Sequence, residues 1–74
     1  MTKTIIRMKL DRTTKGAVRL QEVDANGKEL HSDDDGALVA TQYLRKKKLA
    51  EILGLSQITD ANVPKQVTLE ISVG

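Results

Sequence analysis

Residues 37–55, ALVATQYLRKKKLAEILGL, decide the fold of this chain, because they can form either one long helix or a strand followed by a helix. At about 100° per residue, a single helix would place Arg45 and Lys46 on the same face as the aliphatic side chains. Burying two cations costs far more free energy than burying the leucines returns. We therefore predict a strand over Ala37–Leu44 and a separate helix over Lys46–Leu53.

The predicted helix presents two faces of different polarity. At about 3.6 residues per turn, its apolar side chains face the core and its charged side chains face solvent. The predicted inward set is Leu49, Ile52 and Leu53, and the predicted outward set is Lys47, Lys48 and Glu51. Gly54 follows directly, at the position where glycine commonly ends a helix because it tolerates a left-handed backbone.

Three further segments show the alternation of apolar and polar residues that is typical of half-buried strands. They are Thr4–Leu10, Gly16–Asp24 and Lys65–Val73. The predicted inward side chains are Thr4, Ile6, Met8 and Leu10 in the first, Val18 and Leu20 in the second, and Val67, Leu69, Ile71 and Val73 in the third. Arg19 and Gln21 are predicted to face outward.

The segments between these strands are polar and predict turns or loops. Asn26-Gly27 predicts a type I′ hairpin turn, because both central residues of that turn need positive φ. Lys28–Leu30 would then return briefly as a strand. The predicted loops are Asp11–Lys15, the acidic stretch His31–Gly36 and Ser56–Pro64.

These elements predict a single domain over residues 1–74 with an α+β, β-rich fold. We expect a small antiparallel sheet or partial barrel of four to five strands, with one short helix before the last strand. Strands that follow one another in sequence are expected to pair. The edges of so small a sheet need either protection or a partner strand, so a homodimer through an edge or a face is one expectation.

The composition removes several classes of functional site. The chain has no cysteine, which excludes thiolate catalysis and Cys-based zinc or iron–sulfur sites. His31 is the single histidine, and neither a nucleophile–base pair nor a convergent carboxylate pair is recognisable. We therefore expect no enzymatic activity, no cofactor and no metal. No apolar run reaches the ~18 residues of a membrane span and no signal-peptide pattern is visible, so we expect a cytoplasmic protein without membrane contact.

Two short patterns approach known sites. The first pattern nearly has the spacing of a calcium-binding loop, and its residues are Glu22, Asp24, Asn26, Gly27 and Asp33. Its flanking segments predict strands, however, whereas a calcium-binding loop of this type lies between two helices. The other, Leu49–Ser56, resembles the first helix and turn of a helix-turn-helix domain. A recognition helix should then begin near Gln57, but the apolar spacing is missing there and Pro64 ends the segment early. A hairpin and a short helix covering a sheet explain both patterns more simply.

Cations are the feature most informative about function. Arg45–Lys48 is a run of four at the predicted strand–helix junction, and a hairpin of the first two strands would bring further cations to the outer face. The candidate contact residues are Arg7, Lys9, Arg19, Arg45, Lys46, Lys47 and Lys48. Such a surface is either simply solvated or attracts phosphate backbones without reading sequence. The net charge of +2 does not decide this, and Tyr43, as the only aromatic residue, does not form a base-stacking platform.

Three short motifs, taken in order, resemble a group of small uncharacterised bacterial and phage-associated β-rich proteins. The motifs are TKG-x-x-R at Thr14–Arg19, QYLRK at Gln42–Lys46, and a final strand Val67–Ile71 preceded by Pro64. The chain departs from the pattern at Leu20, where an aromatic residue is expected, and in its longer helix. The resemblance implies a compact β-rich fold from a phage or other mobile element. It carries no established activity and therefore supplies no functional residues.

The sequence thus predicts a small non-catalytic module that binds another macromolecule, either a protein or a nucleic acid. A nucleic-acid partner would be bound without sequence preference through the candidate cations. Further alternatives are a helix-turn-helix-like DNA-binding protein and a structural subunit that assembles by strand addition.

Overall fold

The main element of the computed structural model, which describes residues 2–74, is a four-stranded antiparallel sheet curled into a half-barrel. Its elements are β1 (Thr2–Thr13), β2 (Ala17–Val23), β3 (Thr41–Arg45), α1 (Lys46–Leu53) and β4 (Gln66–Val73). The strand order is β3-β2-β1-β4. The first three strands therefore pair in sequence, whereas β4 crosses over to pair with β1. The β-rich α+β prediction, with one short helix before the last strand, is confirmed with four strands.

One face of the sheet, the inner face, carries the core. Its alternation in β1 and β2 is as predicted: Ile6 and Met8 are buried, as are Val18 and Leu20. The helix and the segment that follows it cover this face. Among residues 2–74, the buried apolar side chains of this cluster are Ile6, Met8, Val18, Leu20, Leu49, Ala50, Ile58 and Val63.

The helix has the predicted bounds but not the predicted inward set. Leu49 and Ala50 are buried, whereas Ile52 is 71% exposed and Leu53 is 45% exposed. Only the Leu49–Ala50 side of this two-turn helix reaches the core, so the remaining apolar side chains point away from the sheet. The predicted stop at Gly54 is confirmed, because its φ of 72° is left-handed and its N–H returns to the Glu51 carbonyl oxygen.

The segment after the helix is not the purely polar connection that was predicted. Ile58 and Val63 enter the core from either side of a tight turn. The Asn62 side chain braces this turn: its Oδ1 accepts the Thr59 N–H at 2.7 Å, and its Nδ2 donates to the Gln57 carbonyl oxygen at 3.0 Å. With the polar backbone groups paired in this way, two isolated apolar residues can be buried.

The hairpin after β2 uses a different turn from the predicted type I′. Gly27 has φ of 86°, but Asn26 does not have positive φ. The Gly27 N–H donates to the Asp24 carbonyl oxygen at 3.0 Å, the pattern of a type I turn followed by a left-handed glycine. The predicted return over Lys28–Leu30 is reduced to one bridge, between Val23 and Glu29.

β1 is longer than predicted, because Asp11–Thr13 continue the strand instead of forming a loop. The pairing with β2 shifts between Leu10 and Arg12, so Asp11 is the extra residue of a bulge. The bulge explains why simple alternation did not reveal the continuation. At the opposite end of the sheet, β1 and β4 run past the core, which leaves Ile71 and Val73 exposed at positions that were predicted to be inward.

Replacing a buried and an exposed isoleucine by alanine tests this packing. We expect Ile58→Ala to lower the free energy of unfolding by about 2–5 kcal/mol, because it leaves a cavity in the core. Ile52→Ala removes an exposed side chain and should change the value by no more than about 0.5 kcal/mol. Urea denaturation followed by circular dichroism measures both, and equal losses would contradict the burial of Ile58 and the exposure of Ile52.

Candidate functional site

Charge is separated along the length of β2. The β1–β2 turn meets the β3–α1 junction at the start of the strand, where Ala17 pairs with Arg45 and the Lys46 N–H donates to the Gly16 carbonyl oxygen at 3.0 Å. Cations gather at this end, which we name the basic end: Arg12, Lys15, Arg19, Arg45, Lys46 and Lys47. The loops beyond the other end of β2 carry half of the acidic residues in the sequence, Asp24, Glu29 and Asp33–Asp35.

The sheet's outer face presents arginines beside the only aromatic ring at the basic end. Arg12 lies opposite Arg19, and Arg19 lies opposite Tyr43. Directly opposed side chains have their Cβ atoms about 5 Å apart. Arg45 follows two residues after Tyr43 and so shares this face, and the tyrosine is 51% exposed. We call Arg12, Arg19, Tyr43 and Arg45 the arginine face.

The β1 bulge gives this face an acidic contact. Asp11 Oδ2 lies 3.4 Å from Arg19 Nε, with both side chains partly exposed. The contact lacks hydrogen-bond geometry, since Arg19 Nε is buried without a hydrogen-bond partner within the described chain. Asp11 therefore offsets part of the repulsion between Arg12 and Arg19, but it does not occupy the guanidinium as a bidentate partner would.

Lysines extend the basic end around the first turn of α1. Lys15, Lys46 and Lys47 line an open cavity of about 470 Å³ beside Glu51 and Ile58. Within residues 2–74, no side chain caps the helix and its first turn holds no acid. This arrangement is locally unfavourable, because the positive end of a helix dipole favours anions rather than cations.

The structure brings together only part of the predicted contact set. Arg19, Arg45, Lys46 and Lys47 belong to the basic end, and Lys48 lies next to them but 3.8 Å from Glu51 Oε2. The predicted set lacks Arg12 and Lys15. The bulge interrupts the alternation that would assign Arg12 to a face, and Lys15 lies in the turn after β1.

Arg7 and Lys9 occupy the outer face of β1 further from the basic end. Lys9 Nζ lies 2.6 Å from Glu29 Oε2, and His31 Nε2 lies 3.3 Å from the other oxygen. The hydrogen bond from Lys9, together with its charge, holds the pKa of Glu29 below its ordinary value. Lys9 thus already has a carboxylate partner within the chain. Arg7 lines a separate groove of about 460 Å³ beside the hairpin turn.

Glu22 forms a second polar arrangement, at the far end of β2. Its Oε1 accepts the N–H groups of Leu38, Val39 and Ala40, each at 2.9 Å. The residue is only 5% exposed. Burial acts to raise the pKa of the Glu22 carboxyl, but the three N–H groups together outweigh it and hold the pKa below its ordinary value.

The same contacts explain why the predicted strand over Ala37–Leu44 begins only at Thr41. The three N–H groups converge on one oxygen, and Ala40 adopts a left-handed φ of 64°. Neither feature is compatible with an extended strand. Gln21, which was predicted to face outward, is buried beside this loop and donates to the carbonyl oxygens of Leu30 and Ala40 at 2.6 and 3.1 Å.

Two acidic residues of the calcium-like pattern accept hydrogen bonds from backbone N–H groups. Glu22 holds the loop as described, and Asp24 Oδ1 accepts the N–H groups of Asn26 and Lys28 at 2.8 and 2.9 Å. Among residues 2–74, no group of three metal-ligating side chains comes together. The pattern is therefore that of a hairpin and its connecting loop.

No family model matches the sequence, and no curated protein and no solved structure matches it either. In the described part of the chain, no helix combines the length and the apolar character needed to cross a membrane. Function must therefore be inferred from the basic end and the arginine face themselves.

The Glu22 contacts predict how stability depends on pH. Because the folded-state pKa lies below the ordinary value of 4.5, the carboxylate stabilises the fold above that value, and this contribution is lost as pH falls through the folded-state pKa. We expect Glu22→Gln to cost about 1–3 kcal/mol at pH 7. The difference between wild type and variant should shrink on acidification.

Glu51→Gln provides the matched control, because Glu51 is exposed. Urea titrations of all three proteins between pH 7 and pH 3 measure the effect. A Glu22→Gln variant that is as stable as Glu51→Gln at pH 7 would contradict the proposed role of the carboxylate.

Proposed function

We propose that this protein is a small, non-catalytic binding module whose basic end contacts the phosphate backbone of a nucleic acid. The observation that supports the proposal is the convergence of cations from separate parts of the chain. They come from the end of β1, the turn that follows it, the outer face of β2 and the β3–α1 junction. Among residues 2–74, those without a carboxylate within 4.0 Å include Arg12, Lys15, Arg45, Lys46 and Lys47.

The local energetics favour an anionic partner over a merely solvated surface. Opposed like charges such as Arg12 and Arg19 destabilise a sheet. Lysines in the first turn of α1 likewise oppose the helix dipole. A bound phosphate backbone would offset both costs, because each phosphate places negative charge where the fold has accumulated positive charge.

The chemistry of the site favours contact with phosphates over reading of bases. Arginine and lysine contacts to phosphate fix position and orientation but carry no sequence information. Tyr43, which lies opposite Arg19 on the neighbouring strand, provides one ring for stacking. Single-stranded nucleic acid is bound through several such rings. Binding is therefore electrostatic, dependent on salt and weakly selective for sequence.

Two double variants of equal net charge test the proposal. Arg45→Gln with Lys46→Gln removes two cations from the basic end, whereas Lys3→Gln with Lys28→Gln removes two exposed cations elsewhere. Fluorescence anisotropy with duplex and single-stranded oligonucleotides gives the affinity across a salt series. We expect the first pair to flatten the log–log salt slope by roughly one to two units, since each neutralised duplex phosphate contributes about 0.9.

The second pair should leave the slope close to that of the wild type. Equal weakening by both pairs would indicate attraction by net charge alone, without a site. Binding to an acidic polypeptide as tight as binding to the oligonucleotides would instead favour a protein partner, and no binding to either at ~0.15 M salt would overturn the proposal.

A further inference from the structure

The outer edge of β4 is a row of backbone groups without partners in the described chain. The Leu10 N–H donates to the Lys65 carbonyl oxygen at 2.8 Å, so Lys65 points its backbone groups toward β1. In an antiparallel ladder this direction alternates from residue to residue. The residues that point their N–H and C=O groups away from β1, to the open edge, are therefore Gln66, Thr68, Glu70 and Ser72.

The two edges of the sheet differ in their protection. β3 is five residues long, and the Gln42 side chain donates to the outward Tyr43 carbonyl oxygen at 3.0 Å. Short length and a side chain that occupies an edge group both hinder pairing with another strand. β4 has eight residues, QVTLEISV, with no proline or lysine and Glu70 as its single charge. An edge of this composition is favourable for strand addition.

We infer that β4 pairs with β4 of a second copy of this chain, antiparallel about a two-fold axis, with Leu69 facing Leu69 of the second copy. This register pairs Thr68 with Glu70 and Gln66 with Ser72 across the axis. All four outward-pointing residues of each strand then exchange backbone hydrogen bonds.

Neighbouring registers fit less well. Moving the axis to Glu70 places two carboxylates directly opposite each other, which is destabilising. Moving it to Thr68 leaves Ser72 opposite Pro64, which has no N–H to donate. Of the registers centred on Thr68, Leu69 and Glu70, the one centred on Leu69 is therefore favoured.

The same register also covers apolar surface. Val67 of one strand meets Ile71 of the other on the inner face, beside the central pair of leucines. Ile71 is 39% exposed in the single chain. A contact of one strand with one strand is smaller than the ~1,200 Å² of a stable interface, so we expect a weak dimer with a dissociation constant on the order of micromolar or higher.

This interface lies on the opposite edge of the sheet from β3 and the arginine face, so it is independent of the proposed function. Loss of nucleic-acid binding would not affect it, and a monomeric chain could still bind phosphate. The two proposals can therefore fail separately.

A nuclear Overhauser experiment on a mixture of differently labelled wild-type chains tests the register directly. Within one strand, Val67 and Ile71 lie about 13 Å apart, which is too far for a contact between their Hα protons. In the proposed dimer they form a non-hydrogen-bonded pair with Cα atoms about 4.5 Å apart. We expect an intermolecular Val67 Hα–Ile71 Hα contact.

Two substitutions at Thr68 test the energetics by sedimentation equilibrium over a range of concentrations. Thr68→Glu places a carboxylate opposite Glu70 of the second copy at two equivalent positions, and Thr68→Lys places an ammonium there. We expect the dissociation constant of the Thr68→Glu dimer to be roughly tenfold higher, or more, than that of the Thr68→Lys dimer.

An effect of the two substitutions on folding of the monomer would have the opposite sign. Within its own chain Thr68 lies opposite Arg7, so glutamate favours the monomer fold and lysine opposes it. Equal dimerisation of the two variants, a dimer without the Val67–Ile71 contact, or a wild-type chain that remains monomeric at millimolar concentration would overturn the inference.

Discussion

The carboxylate of Glu22 is the constraint on which the rest of this fold depends. It gathers three consecutive backbone N–H groups, those of Leu38, Val39 and Ala40, at the end of a long connection between β2 and β3. Unpaired, these groups would be costly to bury. Once paired, they fix the position at which the chain enters β3. The side chain of Gln21 completes the anchor by donating to Leu30 and Ala40 on the same loop.

This anchor connects the end of the sheet near the acidic loop Asp33–Asp35 to the basic end. β3 is short and follows the anchored loop directly, so its start sets where Tyr43 and Arg45 lie beside β2. The helix begins at the next residue, which brings Lys46 and Lys47 to the turn after β1. A carboxylate near one end of β2 thus helps to fix where Arg45, Lys46 and Lys47 lie at the other.

Much of this architecture could be predicted from sequence because its causes are local. The helix over Lys46–Leu53 and its end at Gly54 follow from the period of the apolar residues and from glycine's tolerance of a left-handed backbone. β2 and β4 were predicted to within a residue or two of their observed ends, because alternation is regular in both. A core of this size contributes only about 3–5 kcal/mol to the net free energy of unfolding, so each buried side chain accounts for a large share of the stability.

The missed features have non-local causes. Glu22 contacts residues 16 to 18 positions further along the chain, and its inward position in the alternation of β2 was the only sequence signal. Ile58 and Val63 are single apolar residues without a period, so their burial depends on the turn between them. In the candidate site, the bulge at Asp11 concealed the placement of Arg12, and the partner of Lys9 lies in a loop distant in sequence.

A pH titration by nuclear magnetic resonance, following Glu22 Cδ together with the amide protons of Leu38, Val39 and Ala40, tests the central claim most directly. We predict that the carboxyl titrates below its ordinary value of 4.5, that all three amide signals shift with it, and that these amides exchange slowly with solvent at neutral pH. A carboxyl that titrates at its ordinary value, with the three amides exchanging as fast as those of Asp33–Asp35, would contradict the account.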